Sequence, residues 1–374
     1  MSEMDSMQGK KRGFRWTLID SYILKKFLSS FLLSIALLMT IVVVFDLSEN
    51  LNRFLQNNAP VSAIITERYF NFIPIFANLF ANLFTFISVI WFTSKLTNRN
   101  EIISIYNGGI SFKRLLVPYL TGAFIIAISS FCIANFYIPK ANERLAEFSL
   151  KYMSRKKEIS NYDMHVKTND STYIYIGHWR VNEAEGEDFT YEIIGKSYTK
   201  FKVKAGNIAY NKDTGIWTLE RYLIRRIDDS GRETVRYGSR MDTVFDFKHT
   251  EFDKTYSTAE TMSYTELRRF IKEEKEKGSS LVIYYEIEKH KRMTIPFGTI
   301  IMTLLGFSVA SRKTQRGVGV HLFVGLALSF IYIFFQQVSN VFAISGQLST
   351  AVASWLPNGI YLVICIVMLK HAQK

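Results

Sequence analysis

Cysteine is nearly missing from this chain: two in 374 residues, Cys132 and Cys365, and both fall inside apolar runs. That excludes a disulfide framework or a thiolate metal site, so any soluble part must fold on its own core. The six histidines (His165, His178, His249, His290, His321, His371) stand too far apart for metal-ligand spacing. No G-x-x-x-x-G-K-[ST] loop, H-E-x-x-H or G-x-S-x-G occurs. The chain therefore hydrolyses no ATP by a phosphate-binding loop, and no catalytic residue or metal ligand is assigned to it. Proline is scarce as well: all six lie outside the stretch Lys140–Ser280. Charge, finally, is almost absent from six windows: Phe27–Phe45, Tyr69–Phe92, Leu115–Ile138, Met293–Ala310, Val318–Ile344 and Val352–Leu369. With no ionisable group at mid-span, an intramembrane catalytic dyad is excluded too.

What remains is a membrane pattern. Each window holds about 18 or more largely uncharged residues, enough at about 1.5 Å per residue to cross roughly 30 Å of hydrocarbon. Backbone in lipid must satisfy its own hydrogen bonds, so the windows predict six transmembrane helices, three on each side of an insert. The first follows a basic N-terminus (Lys10, Lys11, Arg12, Arg15) and reads as a retained anchor, because "DLSENLNRF" offers no small-residue cleavage site. The N-terminus, the loop Lys95–Arg114, the loop Ser311–Gly317 and the tail "KHAQK" are all rich in Lys and Arg. Six spans put these four segments on one side, which makes that side, with both termini, cytoplasmic. The net charge of +13 follows from this flanking pattern and carries no nucleic-acid signal.

The chain divides into residues 1–139, 140–280 and 281–374. The insert has strand-like runs at Ser171–Gly177, Lys202–Tyr210, Gly215–Ile224 and Thr243–Phe247, separated by turn signals at Asn211–Gly215 and Asp228–Gly231. An all-β sandwich or jelly-roll-like domain outside the membrane is expected. It closes with "SYTELRRFIKEEKEKG", where Ser263 and Glu266 have capping-box spacing and Gly278 a helix stop. In span two, Asn71, Asn78, Asn82 and Thr85 share one helical face. Such a stripe faces protein or a wet cavity, and interhelical hydrogen bonding is the leading expectation.

The stretch "KLTNRNEIISIYNGGISFKR" leaves the hydrophobic medium for about twenty residues and holds a lone acid. Asn98 with Glu101 resembles a cap, Gly108-Gly109 a stop, and Ile102, Ile105 and Tyr106 share a face. A helix of about nine residues follows, too short to span. It either passes a push from a soluble partner to two spans or merely anchors at the interface; periodicity leaves both open.

"NRNEIISIYNGGISFKRLLVP", "ELRRFIKEEKEKG" and "EIEKHKRMTIPFGTIIMTLLGFSVASRKTQRGVGVHLFVGLALSFIYIFFQQ" together resemble the lipopolysaccharide-export permease family (LptF/LptG, older name YjgP/YjgQ). The order and spacing of these segments, over the whole chain, carry the resemblance. It implies an ABC transporter permease of the bacterial inner membrane, with a periplasmic β domain and no cofactor on this chain; ATP and Mg belong to a partner ATPase. The loop between spans two and three would be the coupling helix, with Glu101, Arg99, Ile102, Ile105 and Gly108 at the cytoplasmic ABC ATPase. Other implied partners are a homologous permease, a periplasmic bridge protein and lipopolysaccharide itself. For the anionic substrate, Arg53, Lys140, Arg144, Lys289 and Arg292 stand where spans reach the outer interface. Some family members carry a lysine in the outer part of span one, where this sequence reads "IVVVFDLSEN". The competing class is a membrane-anchored scaffold whose β domain recruits partners without transport; it would need no ATPase dock.

Overall fold

The computed structural model describes residues 16–153, 160–195, 198–228, 230–311 and 318–372. The basic N-terminal residues Lys10 to Arg15, the loop from Arg312 to Gly317 and the last two tail residues lie outside them.

Helix α1 (Leu18–Gln56) starts at a capping box: Thr17 Oγ1 accepts from the Asp20 amide at 3.4 Å, and the Asp20 carboxylate accepts from the Thr17 amide at 2.7 Å. Span two is broken. It runs through α2 (Val61–Ala63), a π-helical stretch Ile64–Tyr69, α3 (Phe70–Leu79) and, after a 65° bend at Phe80, α4 (Ala81–Asn98). Pro74 inside α3 removes one backbone donor, and its ring opposes a straight helix. The short α5 (Glu101–Asn107) leads into α6 (Phe112–Cys132), which continues through a π-helical stretch Ile133–Tyr137 into α7 (Ile138–Tyr152). Together they make a helix of 41 residues, so Lys140 and Arg144 ride on a helical extension of span three.

The second half contains α8 (Tyr264–Glu276), α9 (Val282–Ala310), α10 (Val318–Ile344) and α11 (Thr350–Ala372). Five helices are long and apolar enough to cross a membrane, and six if the bent pair counts as one span. The six-span expectation corresponds to that count, with the second span kinked. Helix α9 is the central one, packed against α4, α6, α10 and α11.

Between α7 and α8 lie six strands: β1 (Ser160–Asn169), β2 (Thr172–Arg180), β3 (Glu185–Ile194), β4 (Thr199–Asn211), β5 (Ile216–Ile227) and β6 (Glu233–Thr243). They form one antiparallel sheet in consecutive order, so the β insert is present as a meander and not as the two sheets of a sandwich. The physical reason is the tail after β6. "TVFDF" is no strand beyond Thr243; instead Phe245, Phe247 and Phe252 fold onto the sheet's inner face against Trp179, Trp217 and Phe189. That aromatic layer fills the volume a second sheet would occupy. Both turn signals hold: Asn211 Oδ1 accepts from the Asp213 amide at 2.9 Å, and Asp228 Oδ1 from the Arg232 amide at 2.8 Å.

Helix α8 has its expected capping box, with the Ser263 amide donating to Glu266 at 2.9 Å, and it stops where Gly278 takes φ +69°. Burial raises the Glu251 carboxyl, but hydrogen bonds from Lys254 and Lys277 outweigh this and hold it below its ordinary value. Lys254 also bonds Glu274 of α8 at 2.7 Å, which clamps that helix to the segment behind the sheet.

Candidate functional site

The end of the bundle opposite the β domain is built around α5. Helix α4 runs to Asn98, so Asn98 is its last residue and not the cap of the next helix. The turn is Arg99–Asn100, with Asn100 at φ 58°, a left-handed position that asparagine tolerates. Helix α5 therefore has seven residues instead of nine. Its lone acid is engaged: Glu101 accepts from Tyr22 Oη at 2.8 Å, with Lys26 Nζ at 4.0 Å, both on α1. Ile102 is buried and Ile105 and Tyr106 are half-buried, in a cluster with Ile23, Leu96 and Leu115 from α1, α4 and α6. Arg99, Ile103, Ser104, Asn107 and Gly108 face outward. The Gly108 amide donates to the Ser104 carbonyl at 3.0 Å, and Gly109 at φ +84° turns the chain into α6. Close by, Arg114 of α6 donates to the buried Asp20 at 2.6 Å. Three spans are thus tied to one stub.

At the other end, Arg68 in the π-helical stretch donates to Asp46 of α1 at 2.8 Å. Arg68 is buried among the rings of Phe54, Phe72 and Phe148. Asn50 donates to Asp46 at 3.1 Å and accepts from the exposed Arg53 at 3.2 Å, so Arg53 ends a polar chain that begins inside the bundle. Lys140 and Arg144 are exposed one turn apart on α7, and Lys289 is half-buried on α9. Arg292 is a correction. It is 2% exposed, donates to the Met262 and Ala259 carbonyls at 2.8 and 2.9 Å, and lies 3.3 Å from Glu288. Its guanidinium pins the segment before α8 onto α9 and leaves the candidate substrate set.

Between the two ends runs the polar interior. Ser130 of α6 donates to Asn78 at 2.6 Å, Thr299 of α9 donates to Asn82 at 2.8 Å, and Tyr332 of α10 donates to Asn358 of α11 at 2.7 Å. Asn358 in turn donates to the Thr294 carbonyl at 2.9 Å. Asn78 and Asn82 thus bond between helices, whereas Asn71 donates to the Glu67 carbonyl of its own span at 2.7 Å. Gly298 makes the crossing possible: a Cβ there would stand 2.4 Å from Asn82 Nδ2.

Two cavities of about 190 and 230 Å³ flank the bend of span two. Leu79, Glu260, Glu288, Lys291 and Ile295 line both. Lys291 Nζ stands 3.6 Å from Glu288, and burial, with Glu288 nearby, raises the Glu260 carboxyl above its ordinary value. Among the described residues no cluster of three or more His, Cys, Asp or Glu is placed to hold a metal. The Asp46–Arg68 pair and the approach of Glu260 to Glu288 escape sequence reasoning because in each the two partners lie on different elements.

A family model for the lipopolysaccharide export system permease LptF/LptG matches residues 21–371. No curated protein matches the chain.

Proposed function

Because the chain belongs to the lipopolysaccharide export system permease LptF/LptG family, we propose that it is one of two homologous permease subunits that extract lipopolysaccharide from the bacterial inner membrane. The family is one of transporter permeases and not of enzymes; in this reading ATP hydrolysis takes place on a separate cytoplasmic ATPase that docks on α5. One observation carries the reading. Helix α5 is a rigid stub whose inner face is packed on three spans, while Ile103, Ser104 and Asn107 face outward. A push on those residues moves α1, α4 and α6 together. Glu101 then serves coupling by seating α5 on α1 through Tyr22, and Ile102 and Ile105 by anchoring it.

At the periplasmic end, Arg53, Lys140 and Arg144 are exposed and suit the lipid's phosphates. A single exposed charge pair contributes only about 0–1 kcal/mol, so these bases act as a group. The last strand, β6, is exposed along most of its length and forms one edge of the sheet. Such an edge accepts a strand from a bridge protein that carries the lipid onward.

Ile103→Arg with Asn107→Arg should abolish co-purification of the ATPase, and Glu101→Ala should leave the complex formed but uncoupled from export. Normal complex yield and normal export in both variants would overturn the assignment of α5. Cysteines placed at Lys212 and Ser230 should label with an impermeant thiol reagent once the outer membrane is permeabilised. Labelling that requires a broken inner membrane reverses the topology.

A further inference from the structure

Helix α10 is apolar along nearly its whole length, yet toward the β-domain end it carries Gln336, Gln337 and Asn340. Their spacing puts all three on adjoining faces of one turn. Among the described residues, none of these amides meets a hydrogen-bonding partner. Two neighbouring polar groups on the same helix are engaged: Tyr332 donates to Asn358, and Ser339 donates to the Ala353 carbonyl at 2.6 Å. The three amides are therefore surplus to the fold. An unpaired amide in a membrane span costs several kcal/mol unless water or a ligand satisfies it.

All three line the 230 Å³ cavity, whose other walls come from the bend of span two, from α9 and, through Glu260, from the segment before α8. The same cavity presents two carboxylates, Glu260 and Glu288; its lining cation Lys291 stands 3.6 Å from Glu288, which also faces the Arg292 guanidinium at 3.3 Å. A wall whose cations are already paired offers phosphate little. It suits hydroxyl groups, which donate to carboxylates and both donate to and accept from amides. Leu79, Leu83 and Ile333 supply apolar wall for the C–H face of a ring. The volume lies below the roughly 300–1,000 Å³ usual for drug-sized ligands, so the cavity takes about one ring of a larger headgroup.

We infer that this cavity is a saccharide subsite, in which Gln336, Gln337 and Asn340 of α10 with Glu260 and Glu288 hold the hydroxyls of a glycolipid's sugar while its phosphates lie elsewhere. The inference rests on the export reading above and divides the substrate's headgroup into two parts. Hydroxyls go to the acid-and-amide wall of α10 and α9, and phosphates to the exposed bases Arg53, Lys140 and Arg144. A raised Glu260 carboxyl, proton-bearing further up the pH scale, adds a donor to the same wall.

The test uses the full chain in lipid nanodiscs and two fluorescent probes with identical acyl chains, a neutral dihexosyl diacylglycerol and phosphatidic acid. The double variant Gln336→Leu with Asn340→Leu should lower affinity for the dihexosyl lipid by about tenfold, the loss of one or two good hydrogen bonds, and leave phosphatidic acid unchanged. Arg53→Ala with Lys140→Ala and Arg144→Ala should do the reverse. If the leucine variant fails to fold, the alanine pair at the same positions takes its place. Equal losses for both lipids, or no loss for either, overturn the subsite and leave the export reading standing. A wild-type chain that binds neither probe overturns both. An unchanged dihexosyl affinity, with lost association to a second permease chain, means the amides face a partner helix and the inference fails.

Discussion

Helices α1 and α9 are both long spans, 39 and 29 residues, yet they are held in opposite ways. The most apolar stretch of α9 is 67% buried, against 17% for α1. Helix α9 is gripped along its length by four neighbours, with threonine hydroxyls and Gly298 at the close approaches. Helix α1 presents Leu32, Leu33, Leu37, Ile41, Val44 and Phe45 to the outside and is fastened near its ends by ion pairs, Asp20–Arg114 and Asp46–Arg68. A span with little protein contact in its middle needs strong local ties, and charge in a low-dielectric setting supplies them. Through its apolar stretch, a span inside the bundle is held by shape and by neutral hydrogen bonds such as Thr299 to Asn82.

The sharpest way to break this contrast is at the clamp. Arg68→Met leaves Asp46 without its cation and should cost about 3–5 kcal/mol, seen as a lowered melting temperature in detergent. Asp46→Leu added to it should recover most of the loss, because the buried charge is gone. A double variant as unstable as the single would mean that the cage of rings, and not the charge, holds α1. For α9 the corresponding change is Gly298→Val, which forces Asn82 away from Thr299 and Tyr332 and should cost about 1–3 kcal/mol through overpacking. An effect on α9 as large as on the clamp would erase the distinction.

The contrast extends into water, where α8 is clamped by charge as α1 is. Glu251 has its carboxyl lowered in the folded chain, so its contribution is present above the unfolded value and is lost as pH falls through the folded one. Protease sensitivity around α8 should rise as pH falls below about 4.5, and Glu251→Gln should show it already at neutral pH. The smallest expected effect is Ser263→Ala, about 1 kcal/mol from loss of the α8 cap, read from the same melts.

Local signals were legible in the sequence and pairings were not. Runs of uncharged residues announce spans, Ser263 with Glu266 announces a helix start, and Asn211 to Gly215 a turn, because each acts within a few residues. Asp46 opens the stretch "DLSENLNRF", and nothing beside it in the sequence points to Arg68, 22 positions away. Arg292 reads as an interfacial base until the Ala259 and Met262 carbonyls arrive to take its donors. Strands β1, β3 and β6 carry too many polar residues to announce themselves, and the composition of "TVFDF" suits a plug of aromatic rings as well as a strand. The amides of α10 stand in plain view; their meaning depends on knowing that none of the described residues answers them.

The 65° bend at Phe80 has a mechanical consequence. A rigid rod passes thrust from end to end, but a rod with an elbow steers it. On the proposed reading, force entering at α5 would climb α4 and pass sideways to α9 through Asn82 and Thr299, just short of the elbow. Beyond it, α3 leans on α7 and answers to the far side of the molecule instead. An elbow so placed would act as a differential: the lower shaft could turn while the upper one kept its own heading, and a change in the angle would reshape the two cavities beside Leu79.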